Sequence, residues 1–128
     1  MKNENFITKI RTLLIDNTSL TQCFSPALPQ DGDNIACVTL LGGSTSNNLD
    51  NKVDYSTIAF RTLIRGTESD TTTRKLADDI FNTLHLLKDV SFTGGKIINC
   101  IASGAPVYVG KDENQRILYN ITFNAIIK

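Results

Sequence analysis

A segment of two-residue alternation near the C-terminus constrains the fold most. Every second residue that follows Arg116 is apolar up to Ile127, and the residues between them include Asn120, Thr122 and Asn124. The apolar positions are Ile117, Tyr119, Ile121, Phe123, Ala125 and Ile127. Because neighbouring side chains of a strand point to opposite faces, this pattern predicts a long, half-buried strand. Other segments must cover its apolar face.

Two amphipathic helices can supply that cover. The first is predicted from apolar residues at helical spacing and ends near Asp16 and Asn17. Its apolar positions are Phe6, Ile7, Ile10, Leu13 and Leu14. The second is predicted to begin after Gly66, where Ser69 or Asp70 can cap free backbone N–H groups. Its apolar stripe comprises Leu76, Ala77, Ile80, Phe81, Leu84 and Leu87.

Three further segments read as strands. They are Ile35–Gly43, Tyr55–Arg65 and Lys96–Ser103. With the C-terminal strand, the order is helix, strand, strand, helix, strand, strand. This order predicts one α+β domain over residues 1–128, with a mostly antiparallel four-stranded sheet and two helices packed on one face. The segment Ser25–Asn34, which contains two prolines, is expected to be a connector.

The segment Ser44–Asp54 is polar and long for a hairpin connection. It offers few apolar side chains that could anchor it to a core, so we expect a mobile loop there. Loops of this length in small domains are often functional.

Composition excludes several classes of function. Thirteen basic and thirteen acidic residues cancel, so tight sequence-independent binding to duplex DNA is not expected. No apolar run is long enough to span a bilayer and the N-terminus does not read as a secretion signal, so we expect a cytosolic protein. The three cysteines, Cys23, Cys37 and Cys100, lack the spacing of a zinc site or a disulfide framework. Cys37 and Cys100 read as small buried strand residues.

No catalytic constellation emerges from the sequence. His85 is the single histidine and falls on the polar side of the second predicted helix. Asp78 and Asp79 are adjacent on that helix, so their carboxylates diverge and cannot meet at one substrate atom. The run Gly42–Thr45 lacks the lysine and the helix of a phosphate-binding loop. We therefore expect no enzyme, no cofactor and no metal site.

The C-terminal part of the chain resembles the tail terminator, or minor capsid, proteins of tailed bacteriophages and of prophage-derived tails. The resemblance begins at Arg65-Gly66, which ends a strand, and continues through the apolar helix stripe from Leu76 to Leu87. It then includes Gly95, Pro106, the turn Gly110-Lys111-Asp112-Glu113, Arg116 and the alternating strand from Tyr119 to Ile127.

The resemblance implies a structural role. Family members form a ring, usually hexameric, that caps the tail tube, stops its growth and presents a surface to the head. The implied partners are further copies of the chain, the tail-tube protein and the head-connector or stopper protein, with DNA only passing through the lumen and no membrane. The implied location is the host cytoplasm during assembly and then the tail of the particle. A small α+β ligand-binding or regulatory domain remains the alternative.

Subunit contacts are expected from charged residues that could pair between neighbours. The predicted interface residues are Asp50, Lys52 and Asp54 of the polar loop, Arg61 and Arg65 of the uncovered sheet face, and Lys111, Asp112, Glu113 and Arg116 of the last turn. The C-terminal strand is expected to add an unpaired sheet edge. The uncovered face also contains Leu63, Leu118 and Ile126, which fit either a partner surface or scattered exposed apolar residues.

Overall fold

The computed structural model describes residues 2–47 and 54–128. Two helices and seven strands follow one another along these residues. In chain order they are α1 (Lys2–Asn17), β1 (Gln22–Phe24), β2 (Ile35–Asn47), β3 (Asp54–Arg65), α2 (Asp70–Leu84), β4 (Leu87–Phe92), β5 (Gly95–Ala102), β6 (Val107–Lys111) and β7 (Ile117–Ile127). None of these helices is long and apolar enough to cross a membrane.

All of these strands belong to one sheet. Its order is β1-β2-β3-β7-β5-β4, and β6 pairs with β7 beside β5. Every neighbouring pair is antiparallel except β1 and β2, which run parallel. The α+β class and the mostly antiparallel sheet are therefore as predicted from the sequence.

The predicted number of four strands is wrong, because β1, β4 and β6 were missed. The first of these has three residues, too few for a visible alternation. The residues of β4 follow the apolar stripe of α2 so closely that Leu87 was assigned to the helix. The helix ends at Leu84 because His85 is extended and Leu86 has a φ of 65°, which turns the chain into β4. The apolar residues of β6 point to both faces, so they show no alternation.

The helices share one face of the sheet, as predicted. Phe6 of α1 meets Phe60 of β3 edge to face at a centroid distance of 5.5 Å, and Phe60 stacks on Phe123 of β7 at 5.2 Å. The apolar side of α2 is buried in the same cluster. Its start is also as predicted, because the Ser69 side chain accepts a hydrogen bond from the Thr72 N–H.

The bounds of the predicted polar loop need correction. Residues 44–47 continue β2 and Asp54 begins β3, and Asn47 pairs with Asp54. The ladder hydrogen bonds of a hairpin come from the main chain, so polar side chains do not prevent it. The rest of the predicted mobile loop, with Asp50 and Lys52, lies outside the described residues.

The C-terminal strand is not an edge, which corrects a second expectation. One side of β7 pairs with β3 along Leu118–Ile127. The other side pairs with β6 near its start and with β5 near its end. This central position agrees with the burial of its alternate residues from Ile117 to Ile127. The free edges of the sheet lie elsewhere.

Candidate assembly surface

Three of the predicted interface residues form a clamp inside the subunit. We call Arg65, Asp112 and Arg116 the arginine clamp. The Arg116 Nε donates to Asp112 Oδ2 at 2.8 Å, and the Arg65 Nε lies 3.8 Å from the same oxygen. The other oxygen, Asp112 Oδ1, accepts from the backbone N–H groups of Asn114 and Arg116 at 2.9 and 2.8 Å. One carboxylate therefore fixes both the turn before β7 and two arginines.

The clamp also holds the connector that precedes β2. Arg116 Nη1 donates to the carbonyl oxygen of Gly32 at 3.1 Å, and Nη2 donates to that of Gln30 at 3.0 Å. The Arg65 Nε donates to the same Gly32 oxygen at 3.1 Å. Residues 30–33 thus lie over this end of the sheet, on the face opposite the helices.

Electrostatics maintain the charges of the clamp. Burial alone would raise the pKa of Asp112, but the hydrogen bonds from Arg116 and Asn114 and the Arg116 charge together lower it below its usual value of 3.8. Burial and the charge of Arg116 lower the pKa of Arg65. Arginine nevertheless stays charged in proteins, so the clamp consists of ionised groups at neutral pH.

The structure corrects the predicted exposure of the two arginines. Arg65 lies on the expected sheet face, but the connector covers it, and the side chains of Arg65 and Arg116 are only 7% and 10% exposed. They cannot pair directly with a neighbouring subunit unless the connector moves. In the sequence both residues lie next to turns, which suggested that they are exposed. The connector that covers them includes Asp33, which precedes Arg116 by 83 residues, and nothing in the sequence indicated so distant a contact.

The other predicted residues occupy different places. Arg61 is exposed on the sheet face without helices, between Thr39 of β2 and Thr122 of β7. Lys111 and Glu113 are exposed on either side of Asp112. Asp54 begins β3, seven residues or about 23 Å along the strand from Arg61. Arg61, Lys111 and Glu113 are exposed at separate places in the chain, and their part in subunit contacts, like that of Asp54, stays a prediction.

Exposed apolar residues occur on two strands, β6 and β2, at positions that the sequence prediction missed. Three consecutive residues of β6, Val107, Tyr108 and Val109, are 60%, 52% and 54% exposed. Leu41, in the bulge of β2, is 51% exposed. The sequence contained a signal for the first group, because a run of apolar residues between Pro106 and Gly110 is too short to be a helix and favours a strand. We call Val107–Lys111 the β6 edge.

Comparison with known proteins places the fold in a family. A family model described as "Bacteriophage tail terminator protein" matches residues 8–128. The chain belongs to the bacteriophage tail terminator family. The resemblance in the sequence is therefore confirmed, and it extends to α1 as well as to the C-terminal part.

A solved structure shares the fold of this tail terminator family member. It is a chain from the structure "Virion of native gene transfer agent (GTA) particle", with a TM-score of 0.57 and 12% sequence identity. The alignment covers 92% of this chain and 83% of that chain. A search of curated protein sequences found no match. Family membership makes the chain a structural protein of a phage or phage-like tail.

The surface hollows of this family member offer little to a small ligand. The hollow between α1 and β4 has a volume of about 550 Å³, and another near the start of α2 has about 440 Å³. Both are wide open and lined mainly by polar side chains, among them Thr8, Thr12, Glu68 and Asn114. Ligand sites are usually enclosed and mostly apolar. The ligand-binding alternative thus gains no support from these hollows.

The three cysteines and the histidine of this family member pack against other residues of the fold. Burial raises the pKa of Cys23 to about 11 and that of Cys100 to about 12, so both remain thiols at neutral pH. Cys37 and Cys100 are buried in strands, as predicted. Across residues 2–47 and 54–128, no three metal-ligating side chains come together. His85, predicted on the polar side of the helix, is half-buried just after its end, where Nδ1 accepts a hydrogen bond from the Ala102 N–H and the ring stacks on Phe81.

Proposed function

We propose that this chain forms a hexameric ring that caps the tail tube, ends the growth of the tube and provides the surface to which the head connector binds. The observation that supports the proposal is the match of residues 8–128 to the tail terminator family. The partners are further copies of the chain, the tail-tube protein and the head-connector or stopper protein. The protein assembles in the host cytoplasm and remains in the tail of the particle. It catalyses no reaction.

The shape of a single subunit is compatible with this role. A ring requires two different surfaces on each subunit, because a head-to-tail contact uses one surface of each copy and closes only by rotation. The sheet is free of helices on one face and ends in different edges on its two sides. A subunit of this kind can bind one neighbour on each side.

The charge of the chain is compatible with a lumen for DNA. Basic and acidic residues are equal in number, so a ring of identical subunits has no large net charge that would retain the phosphate backbone. A strongly basic ring would bind passing DNA, and such binding would slow its movement. We propose that DNA contacts the ring only transiently, as it passes through the lumen.

Purified tails test the capping role. Tails are collected from cells in which the gene has been deleted, mixed with the purified protein and imaged by electron microscopy. We expect a disc of extra density at one end of each tube and renewed joining to purified heads. A folded domain of similar size from outside the family is the control, and it should leave the tubes bare. Tubes that stay bare with the protein itself would contradict the proposal.

A further inference from the structure

The β6 edge is unpaired along its outer side. Among the described elements, β6 packs against β7, and no other element makes comparable contact with it. A strand with one free side presents a row of unpaired N–H and C=O groups, and proteins usually protect such a row with charges, prolines or a covering segment. Lys111 is the one charged residue of β6. Its three consecutive apolar residues are more than half exposed.

The other edge strand on that side of the sheet is better protected. Among the described strands, β4 pairs with β5 alone. It contains Lys88 and Asp89, however, and Lys96 of β5 forms an ion pair with Asp89 at 3.6 Å. Asp89 also has a φ of 55°, which interrupts the regular strand. These are the devices that discourage strand addition. The comparison identifies β6 as the edge that is open to a partner.

A second open edge lies on the opposite side of the sheet. β1 covers only Ile35–Cys37 of β2. After Cys37, side chains replace the strand pairing for two residues. The Ser25 hydroxyl donates to the Val38 carbonyl oxygen, and the Thr39 hydroxyl donates to the Pro26 carbonyl oxygen. In the part of the chain that the structure describes, no strand pairs with the outer side of Leu40–Asn47. This second edge also has an exposed apolar residue, Leu41.

The two edges run in opposite directions. β2 and β3 are antiparallel, β3 and β7 are antiparallel, and β7 and β6 are antiparallel. It follows that β6 runs opposite to β2. Rotation about the axis of a ring preserves the direction of each strand relative to that axis. When β6 of one copy lies beside β2 of the next copy, the two strands are therefore antiparallel, which is the more favourable pairing.

We propose that the β6 edge of one subunit pairs with the free edge of β2, Leu40–Asn47, of the next subunit, so that the sheets of neighbouring copies join. The inference rests on the proposed ring and specifies its interface. The occupant is a second copy, because the same molecule offers both edges, in the opposite directions that antiparallel pairing needs, with Val107–Val109 exposed on one edge and Leu41 on the other. Each strand contains a bulge next to a glycine, between Tyr108 and Gly110 and between Leu40 and Gly42. Bulges hinder pairing with an arbitrary flat strand, so they favour a partner of matching shape.

The geometry of the ladder is compatible with a closed ring. Tyr108 lies level with Tyr119, Ile64 and Ala36 across the sheet. Pairing Tyr108 with Leu40, where the free edge begins, shifts the next copy along the strands by four residues, or about 14 Å, across four strands that are together about 19 Å wide. This shift corresponds to a strand tilt of about 36°, at the lower end of the range of about 35–45° that closed sheets require.

Two matched measurements test the inference. The double variant Val107→Lys/Val109→Lys places charges on the β6 edge, and Ile15→Lys places one at an exposed position of α1 as the control. Both variants should keep the circular dichroism spectrum and melting temperature of the wild type, because the replaced residues are exposed. On tails from the deletion strain, the double variant should cap about tenfold fewer tubes than the wild type, and Ile15→Lys should cap as many.

Amide exchange of the wild-type protein provides the second measurement. On capped tails, the amides of Val107–Lys111 should exchange about tenfold more slowly than in the free subunit, and those of β4 should change little. If β6 exchange is unchanged in the wild-type ring, or if the double variant forms the ring as well as the wild type, the inference is wrong. The proposed function is unaffected by either result. A wild type that never caps tubes would overturn both.

Discussion

At the scale of single residues, Gly66 allows α2 to approach the sheet closely. A Cβ atom on Gly66 would lie 2.2 Å from Thr73 Oγ1 and 2.7 Å from Thr73 Cγ2. The Thr73 hydroxyl donates to the Ser69 carbonyl oxygen at 2.9 Å and accepts from the Thr67 N–H at 3.2 Å, so it cannot move away freely. The Arg65-Gly66 pair therefore consists of one residue of the clamp and the glycine that lets α2 pack closely against the end of β3.

Replacement of Gly66 by alanine should destabilise the subunit. We expect Gly66→Ala to lower the free energy of unfolding by about 1–3 kcal/mol, because the added methyl group forces Thr73 or α2 to shift. Gly104→Ala is the control, since nothing lies within 4 Å of the Cβ that it would add. Urea denaturation measures both variants. Equal stability of the two would show that Thr73 yields without cost.

The aromatic core separates two phenylalanines that the sequence pattern treats alike. Phe123 is fully buried against Phe60, while Phe81 is half-buried at the rim and stacks on His85. We expect Phe123→Ala to cost about 3–5 kcal/mol of unfolding free energy and Phe81→Ala less than half of that. Chemical denaturation checks both. A larger loss for Phe81→Ala would mean that the rim of α2 is packed more tightly than the structure indicates.

At the scale of elements, the arginine clamp joins three segments that are distant in sequence. It links the connector at residues 30–33, the end of β3 and the turn between β6 and β7. Because β6 begins the hairpin that Asp112 closes, the clamp also fixes the position of the open β6 edge. Three of the predicted interface charges, Arg65, Asp112 and Arg116, thus act inside the subunit, on the segment next to the proposed interface.

Loss of the Asp112 charge should release the connector. We expect Asp112→Asn to speed amide exchange of residues 30–34 and to lower the urea midpoint, because Arg65 and Arg116 then lose their shared carboxylate. Glu113→Gln removes a charge from the neighbouring exposed position and should change neither. Unchanged exchange in Asp112→Asn would show that the carbonyl contacts alone hold the connector.

The same carboxylate predicts the effect of acid. The pKa of Asp112 is lowered in the folded chain, so its contribution to stability is fully present above the ordinary value of 3.8 and is lost as the pH falls through the lower, folded value. We expect wild-type stability to fall more steeply than that of Asp112→Asn in this acid range. Parallel urea titrations at each pH measure the difference, and identical curves would contradict the assignment.

Long periodic elements could be predicted from the sequence, and short or two-sided ones could not. The alternation of β7, the alternation of β3 and the stripe of α2 each repeat often enough to identify the element. The signals of β1 and β6 are too short, and Leu87 fits the stripe of α2 although it begins β4. The clamp could not be predicted for a different reason. Its hydrogen bonds from Arg116 to the connector join residues more than 80 positions apart. Charged residues in a turn gave no sign that they were buried.

At the scale of the whole molecule, the two open edges of one sheet supply the contacts of the proposed ring. The helices bury one face of the sheet, and the connector covers one end of the other face. Growth of the sheet into neighbouring copies is then possible at β6 and at the outer half of β2. In a closed ring both of these edges are paired, and the remaining edge strand, β4, is protected by its charged residues.

The length of tails made without this protein tests the central claim most directly. In cells that express the phage or phage-like element with this gene deleted, tail lengths are measured by negative-stain electron microscopy. The proposed function predicts tubes of variable, excessive length without attached heads, and a plasmid copy of the gene should restore uniform, joined tails. Tails of normal, uniform length attached to heads in the deletion strain would contradict the assignment as a terminator.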